Sequence, residues 1–410
     1  MFSTGSLVYG GARCFFFGSS SGLFFVFILR HAQDERKRTH YSGLTNELTV
    51  VLQRRFPSPL ELRRKHRFSR IHESARRLPY CVIKTVGRNL IIVFIAECGA
   101  CRWSETQQAQ EVYLIDIKNE TFDGTFPFSP YYYDVNGFAM HFVDEGSGEP
   151  IVLVHGDPTW GYLYRKFIPT LSLRYRCIVP DHMGMGKSGT PQEPYPYRLW
   201  DHIANLEALL LRLNLDNLTL VLHDWGGPVG LGFATRHPHR IKRLVLMNTW
   251  AFAPWPSGSF PRLLELIRSE RGEKFVLEKN GYLEPALLGT THYQGNLTKT
   301  VLEAYRAPYP TPTSRLALLC WSRDIPVTEQ DPSWGEMKKI EKGLAQFIRT
   351  PTLLVWGMRD PVLSPSVLRR WQGIYPQAKA YEIDDASHFL QEDAPERIVT
   401  SLEEFLEANP

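Results

Sequence analysis

Cysteine is scarce, with six in 410 residues, too few for a disulfide framework. Nowhere do 18 apolar residues run together, so no segment reads as a membrane-spanning helix. Glycine and proline, 30 and 29, are too few and too scattered for a collagenous or low-complexity chain. With 43% hydrophobic and 22% charged residues, an acidic disordered chain is excluded as well. Metal-ligand spacing is also missing: Cys98 and Cys101 form a lone C-x-x-C with no second pair. Gly184-Met-Gly-Lys-Ser188 lacks the four-residue spacer of a phosphate loop. Neither a metal nor a cofactor is expected. What remains is apolar sequence sufficient for two or three domains.

The small net charge of +4 hides an asymmetry. Residues 1–105 carry 17 Lys and Arg against 7 Asp and Glu, and the remainder carries 30 against 36. A basic segment of about 120 residues thus precedes an acidic body, and an acidic body does not suit nucleic acid. Cys14 to Leu29 is apolar but short and broken by serines, with its basic flank after rather than before it. It does not read as a signal peptide. A short anchor is the alternative to a cytoplasmic chain, and membrane attachment is not expected. The basic residues of 54–77 read as a solvated stretch. Gly18-Ser-Ser-Ser-Gly22 matches G-x-S-x-G by letter but lacks the strand and helix that would expose a hydroxyl. Residues 1–120 are therefore read as a basic N-terminal extension without assigned function.

From about residue 121 the texture changes. Tyr133 to Gly137 and Phe138 to Val143 read as two strands joined at Asn136-Gly137. Ile151 to Val154, Arg176 to Pro180, Leu218 to Leu222 and Arg243 to Met247 are short apolar runs of buried-strand type. Leu199, Ile203, Leu206, Leu209, Leu210 and Leu213 repeat at helical spacing. Strands alternating with helices predict a mostly parallel central sheet covered on both faces. Residues 248–346 break the alternation with helical runs such as Pro261 to Arg271, and the sheet resumes at Thr352 to Trp356 and Ala380 to Ile383. The expected organisation is a core over 121–247 and 347–410 with an inserted helical cap over 248–346.

Ligands of open parallel sheets sit at the carboxyl ends of strands. Three chemistry-bearing residues follow such ends: Asp224 in His223-Asp-Trp-Gly-Gly227, Asp360 in Gly357-Met-Arg-Asp360, and His388 in Asp385-Ala-Ser-His388. Asp224 taken alone suits a helix N-cap. In order with Asp360 and His388, it occupies the place of the nucleophile in an α/β-hydrolase triad. A carboxylate there suits attack on saturated carbon bearing a leaving group.

Residues 121–406 resemble the α/β-hydrolases, and among them the haloalkane dehalogenases. His155-Gly-Asp-Pro-Thr-Trp160, Pro180-Asp-His-Met-Gly-Met-Gly-Lys-Ser188, His223-Asp-Trp-Gly226, Tyr305-Arg-Ala-Pro-Tyr309 and His388-Phe-Leu-Gln391 carry the resemblance. It implies that Asp224 displaces halide to form an alkyl ester. Water activated by His388, itself oriented by Asp360, would then hydrolyse that ester. The backbone N–H groups of Trp225 and Asp157 would serve as oxyanion donors. Trp225 is the implied first halide ligand, since its indole donates without accepting. Many such dehalogenases carry Asn where Asp157 stands, and an ionised carboxylate cannot donate to halide. Asp157 is placed with Trp225 in the substrate and halide site, and the second halide ligand stays open, with Trp250 and Trp255 as candidates by position. Asn248 stands where some relatives place the acid, which favours Asp360 for that role.

The expected partners are a small haloalkane or epoxide, water and halide; the oligomeric state is not legible. An epoxide hydrolase is the enzyme alternative, with Tyr282, Tyr293, Tyr305 and Tyr309 as acid candidates. A non-catalytic binding protein of the same fold is the alternative of another class.

Overall fold

A computed structural model describes residues 117–190, 197–256 and 260–410, together with the backbone of five strands ahead of them. The chain divides into two compact units, 1–110 and 111–410. In the first, β1 (Ser3–Tyr9), β2 (Ala12–Ser19), β3 (Gly22–Leu29), β4 (Tyr80–Val86) and β5 (Asn89–Ile95) pair antiparallel in the order β1-β2-β3-β5-β4. The alternative of a short anchor at Cys14 to Leu29 is not supported. That run lies in β2 and β3, in keeping with the strand preference of aromatic and β-branched residues. Among the described residues no helix is long and apolar enough to cross a membrane. The basic stretch 54–77 and the Cys98/Cys101 pair lie outside the described residues.

The second unit is built on an eight-stranded sheet. Its strands are β6 (Tyr131–Val135), β7 (Phe138–Gly146), β8 (Pro150–Val154), β9 (Arg176–Pro180), β10 (Leu218–Asp224), β11 (Ile241–Thr249), β12 (Thr352–Gly357) and β13 (Lys379–Ile383). The order is β13-β12-β11-β10-β8-β9-β7-β6. All neighbours from β13 to β9 are parallel, and β7 pairs antiparallel with both β9 and β6. β6 and β7 turn at Asn136 and Gly137, both with positive φ (48° and 89°), the conformation a tight two-residue hairpin turn requires. β8 and β10 are buried along their whole length, which is why they read as continuous apolar runs rather than alternating ones.

Helices cover both faces. The helix Leu199–Arg212 buries Leu199, Ile203, Leu206, Leu209 and Leu210, the stripe its periodicity predicts. Between β11 and β12 the chain forms a helical segment instead of a single crossover. One expectation there is corrected: the run Pro261 to Arg271 is not one helix but nearly all of Phe260–Arg268 and the start of Glu270–Leu277. Ser269 makes the break, because its hydroxyl accepts from the Gly272 N–H and caps the second helix.

The strand order reverses at β8, which lies between β9 and β10. Chain leaving β8 and chain leaving β10 therefore border one crevice at the carboxyl edge. This brings Asp157 beside Asp224.

Candidate active site

Asp224 ends β10 and stands one residue, Trp225, ahead of the helix Gly226–Arg236, with φ of +49°. That left-handed conformation is strained for a residue with a Cβ and is held by its surroundings. Two close approaches do the holding. A Cβ on Gly226 would lie 2.2 Å from the Val154 carbonyl oxygen, and one on Gly156 would lie 2.2 Å from Asp224 Oδ1. Only glycine lets the strand ends draw in so tightly. The Thr249 hydroxyl donates to the Asp224 carbonyl oxygen at 2.5 Å, tying the bend to β11.

The carboxylate is aimed at a fixed set of groups. Asp224 Oδ1 accepts from the Asp157 N–H at 3.0 Å, and the Trp225 N–H also donates to this carboxylate. Oδ2 lies 3.6 Å from His388 Nε2. His388 Nδ1 lies 2.8 Å from Asp360 Oδ2. Asp360 in turn accepts from the N–H groups of Val362 (2.7 Å) and Leu363 (3.0 Å), and from Asn248 Nδ2 (2.8 Å). Asn248 Oδ1 accepts from the Gly357 N–H at 2.7 Å, so one side chain links the ends of β11 and β12. From the other side, His223 Nε2 lies 2.8 Å from the His388 carbonyl oxygen and supports the loop that carries the imidazole.

All four groups are buried, and their partners set their charges apart. Asp224 is 5% exposed, His388 3%, Asp360 2% and Asp157 7%. Burial pushes Asp224 up to about 6, against the opposing pull of His388 and the Trp225 and Asp157 N–H groups. Asp360 is buried too, but the His388 charge and three hydrogen-bond partners overcome desolvation and hold it below its ordinary value. Burial opposes the charged form of His388, yet Asp360, then Asp224 and Asp157, win and raise it. Asp157 is raised furthest, to about 8: burial leads, the nearby Asp224 charge adds, and the hydroxyls of Tyr282 and Ser322 oppose.

The Asp157 carboxyl is the feature the sequence left unexplained. Tyr282 Oη donates to its Oδ2 at 2.7 Å and Ser322 Oγ donates to the same oxygen at 3.1 Å. Its Oδ1 is buried without a partner. Both hydroxyls come from the helical segment between β11 and β12.

Trp225 packs edge to face against Trp250 (ring centroids 5.0 Å apart) and Trp321 (5.1 Å), and Trp255 packs behind Trp250 at 4.4 Å. Of the two tryptophans expected by position, Trp250 therefore touches Trp225 and Trp255 stands one ring further off. Trp321 escaped the sequence reading. Its indole Nε1, like that of Trp250, is buried without a partner. Nothing in Leu316-Ala-Leu-Leu-Cys-Trp321 distinguishes it from a packed core tryptophan.

The four candidate tyrosines separate. Tyr282 reaches Asp157, while Tyr305 donates to Glu392 at 2.6 Å. Tyr293 is 42% exposed and donates to Asp385. Tyr309 is buried. Asp385 pairs with Arg397 and does not compete for His388. Among the described residues, no group of three His, Cys, Asp or Glu side chains is placed to hold a metal ion.

A carboxylate on a strained bend at the end of β10, with a buried acid and an imidazole on the chain leaving β12 and β13, is the arrangement of an α/β-hydrolase. Residues 149–395 match the family model described as alpha/beta hydrolase fold, and the chain belongs to that family. Within it the protein is haloalkane dehalogenase-like. It is 31% identical over 280 residues to haloalkane dehalogenase 2 of Mycobacterium tuberculosis, covering 68% of this chain and 94% of that protein. It is 37% identical over 287 residues to a cis-3-alkyl-4-alkyloxetan-2-one decarboxylase of Shewanella oneidensis, covering 69% of this chain and 90% of that one. The solved structure of haloalkane dehalogenase DbeA from Bradyrhizobium elkani aligns with a TM-score of 0.63 at 26% identity, covering 68% of this chain and 98% of its own.

Proposed function

We propose that the protein is an enzyme in which Asp224 opens a cis-3,4-dialkyl-oxetan-2-one and releases an alkene and carbon dioxide. The observation that carries this reading is the Asp224 carboxylate itself, fixed by N–H groups on one oxygen and 3.6 Å from an imidazole on the other. An oxygen so held attacks the ring carbon C4 from the back, forming a C–O ester bond while the ring C4–O bond breaks and leaves a carboxylate. That carboxylate then loses carbon dioxide. The C2–C3 pair becomes the C3=C4 double bond, and the ester bond breaks to return Asp224. Neither step consumes water or needs a base. Burial disfavours the imidazolium of His388, but Asp360 and Asp224 outweigh it and favour that form, which fits this reaction, since an imidazolium steadies the carboxylates without having to accept a proton. The 37% identity to proteins named for this reaction, against 31% to a dehalogenase, supports the same choice.

Haloalkane hydrolysis is the second reading, and the tryptophan cluster favours it. Trp225, with the partnerless indole nitrogens of Trp250 and Trp321 around it, offers apolar walls and donors to a departing halide. Asp224 would again form the alkyl ester, and His388 would activate the water that hydrolyses it, oriented by Asp360. In both readings residues 248–346 act as a cap over the site, and Tyr282, Trp321 and Ser322 are the groups it contributes. An epoxide hydrolase fits less well, since the Tyr282 hydroxyl already donates to Asp157.

Product analysis decides between them. The protein is offered cis-3,4-dibutyl-oxetan-2-one and 1-bromobutane separately, and alkene and bromide are measured. Alkene formation abolished by Asp224→Asn is the expected result. Bromide release without alkene would transfer the assignment to the dehalogenase reading, and neither product from folded protein would sink both.

A further inference from the structure

We propose that Asp157 works as an uncharged carboxylic acid whose free oxygen gives a hydrogen bond to the oxygen leaving C4, making it a catalytic donor rather than a halide ligand. This rests on the oxetanone reading above. The geometry assigns the proton. Tyr282 Oη and Ser322 Oγ both donate to Oδ2, so that oxygen acts as acceptor twice over, and Oδ1 is the one left to carry hydrogen. Oδ1 is buried without a partner, and a buried donor with nothing to give to is destabilising until a ligand arrives. The same residue's backbone N–H holds the nucleophile, so main chain and side chain of Asp157 serve the two ends of one displacement.

Charge bookkeeping agrees. The titratable groups that act on Asp157 are Asp224 from the end of β10, His388 from the loop after β13, and Tyr282 and Tyr309 from the helical segment. Only His388 among them can be positive, and it is already shared with Asp224 and Asp360. A second anion beside Asp224 would repel the carboxylate formed on ring opening; a neutral acid stabilises it. Burial raises both acids, Asp224 to about 6 where His388 and two N–H groups oppose it and Asp157 to about 8 where the Asp224 charge adds, so near neutral pH one attacks and the other donates. No proton is consumed. The hydrogen bond strengthens as C4–O breaks and relaxes as carbon dioxide leaves, and Asp157 ends as it began.

The test compares the full chain with Asp157→Asn and Asp157→Ala, using cis-3,4-dibutyl-oxetan-2-one as the probe. Asn keeps a neutral donor at every pH. Its alkene-forming kcat is expected to drop less than about tenfold and to lack the fall expected of wild type above about pH 8. Ala, with no donor, is expected to lose about 100-fold or more. Infrared difference spectra of substrate-free protein at neutral pH supply a readout independent of turnover. A protonated-carboxyl band should be present in wild type and missing in Asp157→Asn. Absence of that difference, or an unchanged alkaline fall in the Asn variant, overturns the proposal. A missing band with alkene still formed removes this role alone. A band present with no alkene formed overturns the oxetanone reading, and the catalytic role of Asp157 with it.

Discussion

Asn248 gives one hydrogen bond to Asp360 Oδ2 at 2.8 Å and takes one from the Gly357 N–H at 2.7 Å. One amide thereby fixes the acid that faces His388 and joins two neighbouring strand ends. Asn248→Ala should remove one of the groups that hold Asp360 ionised. A hydrogen bond to a charged buried group contributes about 1.5–3 kcal/mol, so a loss of roughly 10- to 100-fold in kcat is expected, with little change in KM. Asn248→Asp should be worse, because it sets a second carboxylate against Asp360. Steady-state kinetics of the two variants checks both.

His388→Phe separates the two chemical readings. Where hydrolysis completes turnover, removing the imidazole should strand the alkyl ester on Asp224, visible as an added butyl mass on intact protein after exposure to 1-bromobutane. Where decarboxylation completes turnover, the oxetanone substrate should still give alkene at a reduced rate, and no adduct should persist.

The acid limb of the rate profile is expected to belong to Asp224. Only its ionised form attacks, and burial has raised it to about 6, so kcat should fall as pH drops through that value. Asp224 and Asp157 face each other, so the fitted values belong to the pair. The limb should survive in Asp157→Asn with little shift, because Asp157 is already uncharged where Asp224 titrates.

Stability carries a second signature of Asp157. Its carboxyl titrates at about 8 when folded but near the ordinary carboxylate value when unfolded. Rising pH through that window therefore favours the unfolded chain by at most about 1.4 kcal/mol per pH unit. Asp157→Asn removes this dependence. The variant's thermal midpoint should gain on wild type as pH rises from about 4 and level off above about 8. Calorimetry at several pH values would show a constant offset instead if Asp157 were ionised throughout.

Gly226→Ala tests the bend. Its Cβ would meet the Val154 carbonyl oxygen at 2.2 Å, backbone that cannot step aside. Destabilisation of about 1–3 kcal/mol is expected from such overpacking, together with loss of activity, measured by urea unfolding and turnover.

Much of this molecule is legible in its sequence. Buried strands announce themselves as unbroken apolar runs such as Ile151 to Val154, because both faces of a central parallel strand are covered. The order of Asp224, Asp360 and His388 follows from their places at strand ends. Helix limits were less clear, as at Ser269, where one hydroxyl divides a run that periodicity joins. The residues around Asp157 were hidden altogether. Tyr282 lies 125 positions from it and Ser322 165, and neither sits in a pattern that points to a carboxyl.

Local sequence determined the elements, and with them the places of Asp224, Asp360 and His388, since each rides on a strand end whose position the sheet dictates. The surroundings of Asp157 and the ring of tryptophans about Trp225 were decided by tertiary structure alone. The protonation of a buried carboxyl depends on which donors and charges close around it, and those come from helices distant in the chain that packing alone brings over the sheet.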